Sequence, residues 1–223
     1  MDLMEKTKCH TVYFDPSYKQ KVQPWLQERQ MQGIAVDPAD AWLSEEEAPV
    51  VFYNKSFEEA KWDPVVVLHT SGSTGIPKPV VVRAGNFAVG DAFHNVFDFQ
   101  GSENIVRTMM TGKRFFNPMP LFHSAGIFVS LTSSIYWGQP VALGFPDRPF
   151  TPHSVIETLT NTEVDAILLP PSILEELSYI EQGVSCLKKL RRVCFGGGSL
   201  ARGVGSILVE QGVIVASFIG FTE

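Results

Sequence analysis

Cysteine, excess positive charge and long apolar runs are all scarce in this sequence, and each shortage removes a class of protein. Only three cysteines occur in 223 residues, Cys9, Cys186 and Cys194, and no CxxC pair exists. An odd, sparse set makes no disulfide framework, so a reducing, cytoplasmic setting is expected. Lys and Arg number 18 against 24 Asp and Glu, a net charge of −6. A nucleic-acid footprint is basic and clustered, so no nucleic-acid partner is expected. Small anionic ligands remain open, because backbone dipoles bind phosphate on acidic proteins too. No run approaches the roughly 18 apolar residues of a membrane span. The first ten residues carry Asp2, Glu5, Lys6 and Lys8 in place of an apolar signal segment. The histidines and carboxylates show neither HExxH nor Cys/His spacing, so no structural metal is expected.

What is present is a chain that can bury a core: 44% hydrophobic and 11% aromatic, of a length for one to two domains. Residues 1–62 read as an irregular N-terminal segment, with Asp15-Pro16, Asp37-Pro38 and an acidic run at 45–47. Short strands are expected at 12–14 and 50–53, and a helix over 18–31 interrupted at Pro24. Residues 63–223 read as an α/β core. The β-branched run at 65–68 reads as a strand buried on both faces. Further strands are expected at 80–83, 115–118, 141–143, 164–169, 192–195 and 213–219. Helices are expected between them. One is capped by Asn86, with Val89, Phe93, Val96 and Phe97 at helical spacing. The others cover 125–137, 172–179 and 200–211, and one is capped by Thr151 with Pro152 at its first position. Strands alternating with helices predict βαβ crossovers, hence an α/β fold with a mostly parallel sheet and flanking helices.

In such sheets ligands bind beyond the carboxyl ends of the strands, and four unusual loops follow expected strands. The first holds Thr70, Ser71, Gly72, Ser73, Thr74, Gly75 and Lys78. Hydroxyls, exposed amides and an ammonium together suit a polyphosphate, although by composition alone this is an ordinary turn-rich loop. It is not GxxxxGK[ST], because Pro77 precedes Lys78. The second loop, Pro118-Met-Pro-Leu-Phe-His123-Ser-Ala-Gly126, sets His123 at the start of an apolar helix, as a pocket residue or as a plain half-buried histidine. The third, Gly196-Gly197-Gly198-Ser199-Leu200, lies between a strand and a helix, where backbone amides favour an anion or a ribose and base edge. It also fits GxGxxA, a weak dinucleotide signal that comes late in the chain. The fourth, Gly220-Phe221-Thr222-Glu223, carries a hydroxyl and a carboxylate that could meet a phosphate and its Mg²⁺.

Taken in order, these segments resemble the adenylate-forming, AMP-binding superfamily. His69-Thr-Ser-Gly-Ser-Thr-Gly-Ile-Pro-Lys-Pro79 is similar to its phosphate-loop signature and Pro120-Leu-Phe-His123 to its aromatic/His motif. Gly196-Gly-Gly-Ser-Leu200 sits where that family has its Gly-rich segment, and Gly220-Phe-Thr-Glu223 resembles its Tyr-Gly-x-Thr-Glu motif. In detail the chain most resembles adenylation domains of fungal peptide-synthetase-like carboxylate reductases. The resemblance implies the central part of a large N-terminal adenylation domain. It further implies ATP with Mg²⁺, an aryl or apolar carboxylic acid as substrate, and a thiol acceptor, on a carrier-domain phosphopantetheine or a coenzyme. Residues 70–78 would hold the β- and γ-phosphates, Thr222 the α-phosphate and Glu223 Mg²⁺. His123 would line the acyl pocket, and Gly196, Gly197 and Gly198 would flank adenine. The family's adenine-stacking Tyr falls at Ile219, and its small C-terminal domain falls beyond residue 223. The chain is therefore expected to be an incomplete core, impaired alone. The alternative is an inactive remnant that serves as a nucleotide-binding or interaction module.

Overall fold

The computed structural model describes residues 3–43, 49–70, 75, 77–101, 104, 106 and 112–222. After a one-turn helix, α1 (Leu3–Lys6), strand β1 (Thr11–Phe14) pairs in parallel with β2 (Gln32–Ala35) across helix α2 (Lys19–Glu28). Helix α2 runs through Pro24 without a break, unlike the interrupted helix expected. Residues 50–53 form no strand and stand exposed. A short helix, α3 (Phe57–Ala60), is closed by a capping box in which the Glu59 carboxylate accepts from the Ser56 N–H at 2.8 Å.

Strand β3 (Pro64–Thr70) corrects a third expectation. It pairs antiparallel with β4 (Lys78–Arg83) as a separate two-stranded ribbon. It is not buried on both faces: Val65 and Val67 are exposed while Leu68 is buried. Its three consecutive valines hide the alternation, because both the open and the covered face are apolar. Helix α4 (Ala84–Ala92) follows β4 directly. Asn86 lies inside its first turn rather than at the cap, and its side-chain oxygen accepts the Arg83 N–H at 2.9 Å. The chain tightens to a 3₁₀ turn at Phe93–Asn95, so Val96 and Phe97 fall outside the helix.

The remaining elements build the main sheet. Strand β5 (Phe115–Asn117) leads to helix α5 (Ser124–Ile135), β6 (Val141–Leu143) and helix α6 (Pro152–Asn161). Then come β7 (Ala166–Leu169), helices α7 (Pro171–Ser178) and α8 (Glu181–Leu187), β8 (Arg192–Gly196), helix α9 (Arg202–Glu210) and β9 (Val215–Phe218). Five strands run in the order β6-β5-β7-β8-β9, every pair parallel. Thr151 caps α6 as expected, its hydroxyl accepting the Ser154 N–H at 3.2 Å, with Pro152 in the first turn.

The all-buried strand β7 divides its side chains between two cores, as the pleat requires. Ile167 and Leu169 join Val155, Leu174, Leu187, Val193 and Leu208 beneath α6 to α9. Ala166 and Leu168 face Phe115, Val129, Cys194 and Ala216 on the side of α5. Burial there pushes the Cys194 thiol up to about 11, so it is an apolar core residue rather than a nucleophile. Among the described residues no helix is long and apolar enough to cross a membrane.

Candidate functional site

Because all five strands are parallel, their carboxyl ends lie along one rim, and the loops after β5, β8 and β9 meet there. The loop after β5 is held by Asn117, which is fully buried. Its side-chain amide donates to Ala125 O at 3.0 Å, Gly126 O at 3.1 Å and Ser130 Oγ at 3.0 Å. Its oxygen accepts the Met119 N–H at 3.3 Å. The chain then turns tightly enough that a Cβ on Gly126 would lie 2.0 Å from Pro120 O. Only glycine permits this approach.

That turn delivers His123 as the N-cap of α5, with its Nδ1 accepting the Ala125 N–H at 3.1 Å. With Nδ1 engaged as an acceptor, the ring's hydrogen sits on Nε2. Next to it, Ser124 Oγ lies 3.3 Å from Thr222 Oγ1, which joins the loop after β5 to the loop after β9. The third loop leaves β8 through Gly196, where an added Cβ would meet Phe218 O at 2.7 Å, and Gly197, whose φ is +87°. Its helix is not an open anion site. The Glu175 carboxylate accepts the Ala201 N–H at 2.8 Å at the start of α9, so negative charge already stands there. Gly198 is exposed and lies off the cleft beside Pro171.

These loops surround the mouth of a cavity of about 530 Å³, to which His123, Ser124, Gly196, Gly197 and Thr222 contribute. Its interior is apolar: Val80, Val81 and Val82 of β4 form one wall, and faces of α4 and α5 form others. Phe218 and Phe221 also line it, whereas Ile219 is exposed. Of the described residues named from sequence, His123, Gly196, Gly197 and Thr222 thus converge, while Gly198, Thr70, Gly75 and Lys78 stand outside the lining. Thr70 and Lys78 are the last register pair of the β3–β4 ribbon, and Lys78 is exposed outside the cavity lining. Gly75 stands at the ribbon's tip with φ +77°. Ser71, Gly72, Ser73, Thr74 and Glu223 lie outside the described residues. Among the described residues no group of three His, Cys, Asp or Glu is placed to hold a metal.

Sequence reasoning overlooked Asn117 and Ser124 as parts of the site. The signal for Asn117 was present, as a polar residue set between Phe116 and Pro118 at the end of an apolar strand.

Fold and site together define an α/β domain with a largely apolar cavity opening at the carboxyl rim of a parallel sheet. The chain belongs to the AMP-binding enzyme family, whose model matches residues 2–223. It is 47% identical, over its whole length, to a carboxylic acid reductase of Neurospora crassa, of which it covers 21%. An adenylate-forming reductase of Stachybotrys bisbyi is 27% identical over the whole chain, which covers 20% of that protein. The chain therefore spans about a fifth of the length of these relatives. Among solved structures, a benzoate CoA ligase from Burkholderia xenovorans superposes with a TM-score of 0.76 over 99% of this chain and 42% of that one, at 17% identity. The ATP-bound MatB of Rhodopseudomonas palustris gives 0.75 over the same share of each chain, also at 17% identity. At these identities the likeness is one of fold.

Proposed function

We propose that this chain is the core of an enzyme that activates a carboxylic acid with ATP and passes the acyl group to a thiol. The observation that carries the reading is the rim itself. Two hydroxyls, Ser124 and Thr222, lie 3.3 Å apart beside His123 and the Gly196–Gly197 backbone, at the polar mouth of an otherwise apolar cavity. A carboxylate at that mouth can keep its charged end among donors and bury its aryl or apolar body. In the first step a carboxylate oxygen attacks the α-phosphorus of ATP, and the bond to pyrophosphate breaks. In the second, a thiol sulfur attacks the acyl carbon and AMP leaves. The thiol belongs to a phosphopantetheine arm on a carrier domain or to a coenzyme.

The barrier in the first step is electrostatic, an anion approaching a phosphate, and preorganised donors lower it. Thr222 and Ser124 are assigned to the α-phosphate and the carboxylate. His123 Nε2–H is assigned to the acid at the cavity mouth. The backbone at Gly196 and Gly197, flat for lack of Cβ atoms, is assigned to the base and ribose. Its phosphate-binding alternative is disfavoured by Glu175. Lys78 and the hydroxyls of residues 70–74 are assigned to the β- and γ-phosphates. Mg²⁺, when bound, supplies charge neutralisation on the phosphates. It characteristically rests on substrate phosphates plus one or two carboxylates, and Glu223 is assigned as such a carboxylate.

The test is a thermal-shift titration of the chain with MgATP against MgGTP, in parent and Lys78→Ala proteins. A ligand at a hundredfold excess over its Kd stabilises by about 2.7 kcal/mol, or roughly 5–10 °C for a chain of this size. An ATP-selective rise that Lys78→Ala weakens is expected. A cooperatively melting protein that ignores MgATP would overturn the reading. Acid-dependent ATP–pyrophosphate exchange would separate an active core from an inactive nucleotide-binding module.

A further inference from the structure

We propose that Thr132 sets the length of acid the cavity accepts, and that the acid is an elongated, straight-chain apolar monocarboxylate lying along α5. The inference rests on the reading that this cavity receives the acid. Helix α5 turns Ala125, Phe128, Val129 and Thr132 into the cavity, the i, i+3, i+4, i+7 spacing of one helical stripe. On the opposite wall, Asn86, Val89, Gly90 and Phe93 repeat the same spacing along α4 and the turn after it. Between the stripes runs a largely apolar slot whose polar side chains away from the mouth are Asn86 and Thr132. Ser124, at the mouth, and Thr132 are eight residues apart, which is about 12 Å along a helix axis.

At Thr132 the slot closes. A Cβ on Gly90 would stand 2.3 Å from Thr132 Cγ2 and 3.2 Å from its Oγ1. The two helices touch at this point, and only because position 90 has no side chain. The contact is braced from behind. The Trp137 indole N–H donates to Gly90 O at 3.1 Å, and the His94 ring stacks on Trp137 with centroids 3.9 Å apart. The far end therefore cannot yield by a small shift of α4, and the volume of side chain 132 fixes the depth. A long, largely apolar slot recognises its ligand by length, because each buried methylene adds about fourfold in affinity until the end is reached.

The experiment measures thermal stabilisation by straight-chain alkanoic acids of increasing length, with MgATP present, in the parent chain and in Thr132→Ala, Thr132→Ser, Thr132→Val and Thr132→Phe. The unliganded melt of each variant reports its folding. Thr132→Ala and Thr132→Ser are expected to move the optimum to longer acids, with about a fourfold gain for each methylene newly accommodated. Thr132→Phe is expected to move the optimum to shorter acids. Thr132→Val keeps the volume and should keep the optimum. An optimum unchanged in folded Thr132→Ala and Thr132→Ser would overturn the inference, whatever becomes of Thr132→Phe. If MgATP stabilises the chain and no acid does, the inference falls and the nucleotide reading stands. If neither binds, the underlying reading falls with it.

Discussion

Replacing Asn117 by aspartate tests the knot that positions the rim. The two side chains have the same shape, so the change isolates hydrogen bonding. The amide has two hydrogens for three acceptors at 3.0–3.1 Å, which makes two full donated bonds the fair count. At about 1 kcal/mol net each, Asn117→Asp forfeits about 2 kcal/mol. It also turns a carboxylate oxygen towards the carbonyl oxygens of Ala125 and Gly126 in a fully buried place. A buried carboxyl facing acceptors escapes by holding its proton, so its folded-state pKa rises above the unfolded value. The native variant then binds more protons than the unfolded chain. Its stability is greatest at low pH and falls as pH rises through the folded-state pKa. At pH 7 a penalty of at least about 2 kcal/mol should lower Tm by roughly 4–8 °C or more. The gap to the parent should narrow at pH 5, where the neutral carboxyl can donate one hydrogen. Melts followed by circular dichroism at the two pH values are sufficient. A variant within about 2 °C of the parent at pH 7, on that same scale, would refute the reasoning.

Gly126→Ala places a Cβ against the Pro120 and Met119 carbonyls, which are backbone and cannot rotate away. Urea denaturation should register a loss of about 1–3 kcal/mol, and a neutral result would mean the turn is looser than described. With its thiol pushed up to about 11 and buried, Cys194 should resist a disulfide reagent at pH 8, as should buried Cys186. Half-buried Cys9 should react first, and rapid native labelling of all three would contradict the core packing. Hydrogen bonds from Ser17, Ser56 and Lys55 hold Asp15, Glu59 and Asp63 below the usual carboxylate range. Their contribution is complete above their unfolded values and lost as pH falls through the depressed ones. These surface groups should therefore leave the urea midpoint flat from pH 7 to 5 and soften it only below about pH 4.

Much of the main sheet was legible because its signals are local. Thr151 and Pro152 announce α6, and Pro170-Pro171 ends β7. Strand 141–143 emerges at its expected residues, and the helix 152–161 starts at its expected cap. What sequence hid was pairing. Nothing in the run 65–68 distinguishes a central parallel strand from a ribbon with valines on its open face. The short, mostly exposed strand β2 (Gln32–Ala35) pairs only with β1, and no periodicity in four residues reports that. Helix α8 has no side-chain cap hydrogen bond and was not expected. At the site, His123 and Thr222 could be named from their loops. Ser124, 98 positions from its hydroxyl partner, could not.

The sheet order has a consequence for how the chain acquires its fold. Apart from Phe116, the buried residues under α6 to α9 all lie between Val155 and Val213. Strands β7, β8 and β9 pair with their neighbours in sequence, so this stretch can close on itself with modest loop entropy. Strand β5 must instead find β7 about fifty residues later, and the β3–β4 ribbon docks through α4 and α5. Hydrogen exchange should therefore find its slowest amides in β7 and β8. The cleft lies where the two assemblies meet, with β4, α4 and α5 on one side and Leu168, Gly196 and Phe218 on the other. A ligand held there would touch both assemblies at once and so oppose their separation, as mortar does between courses.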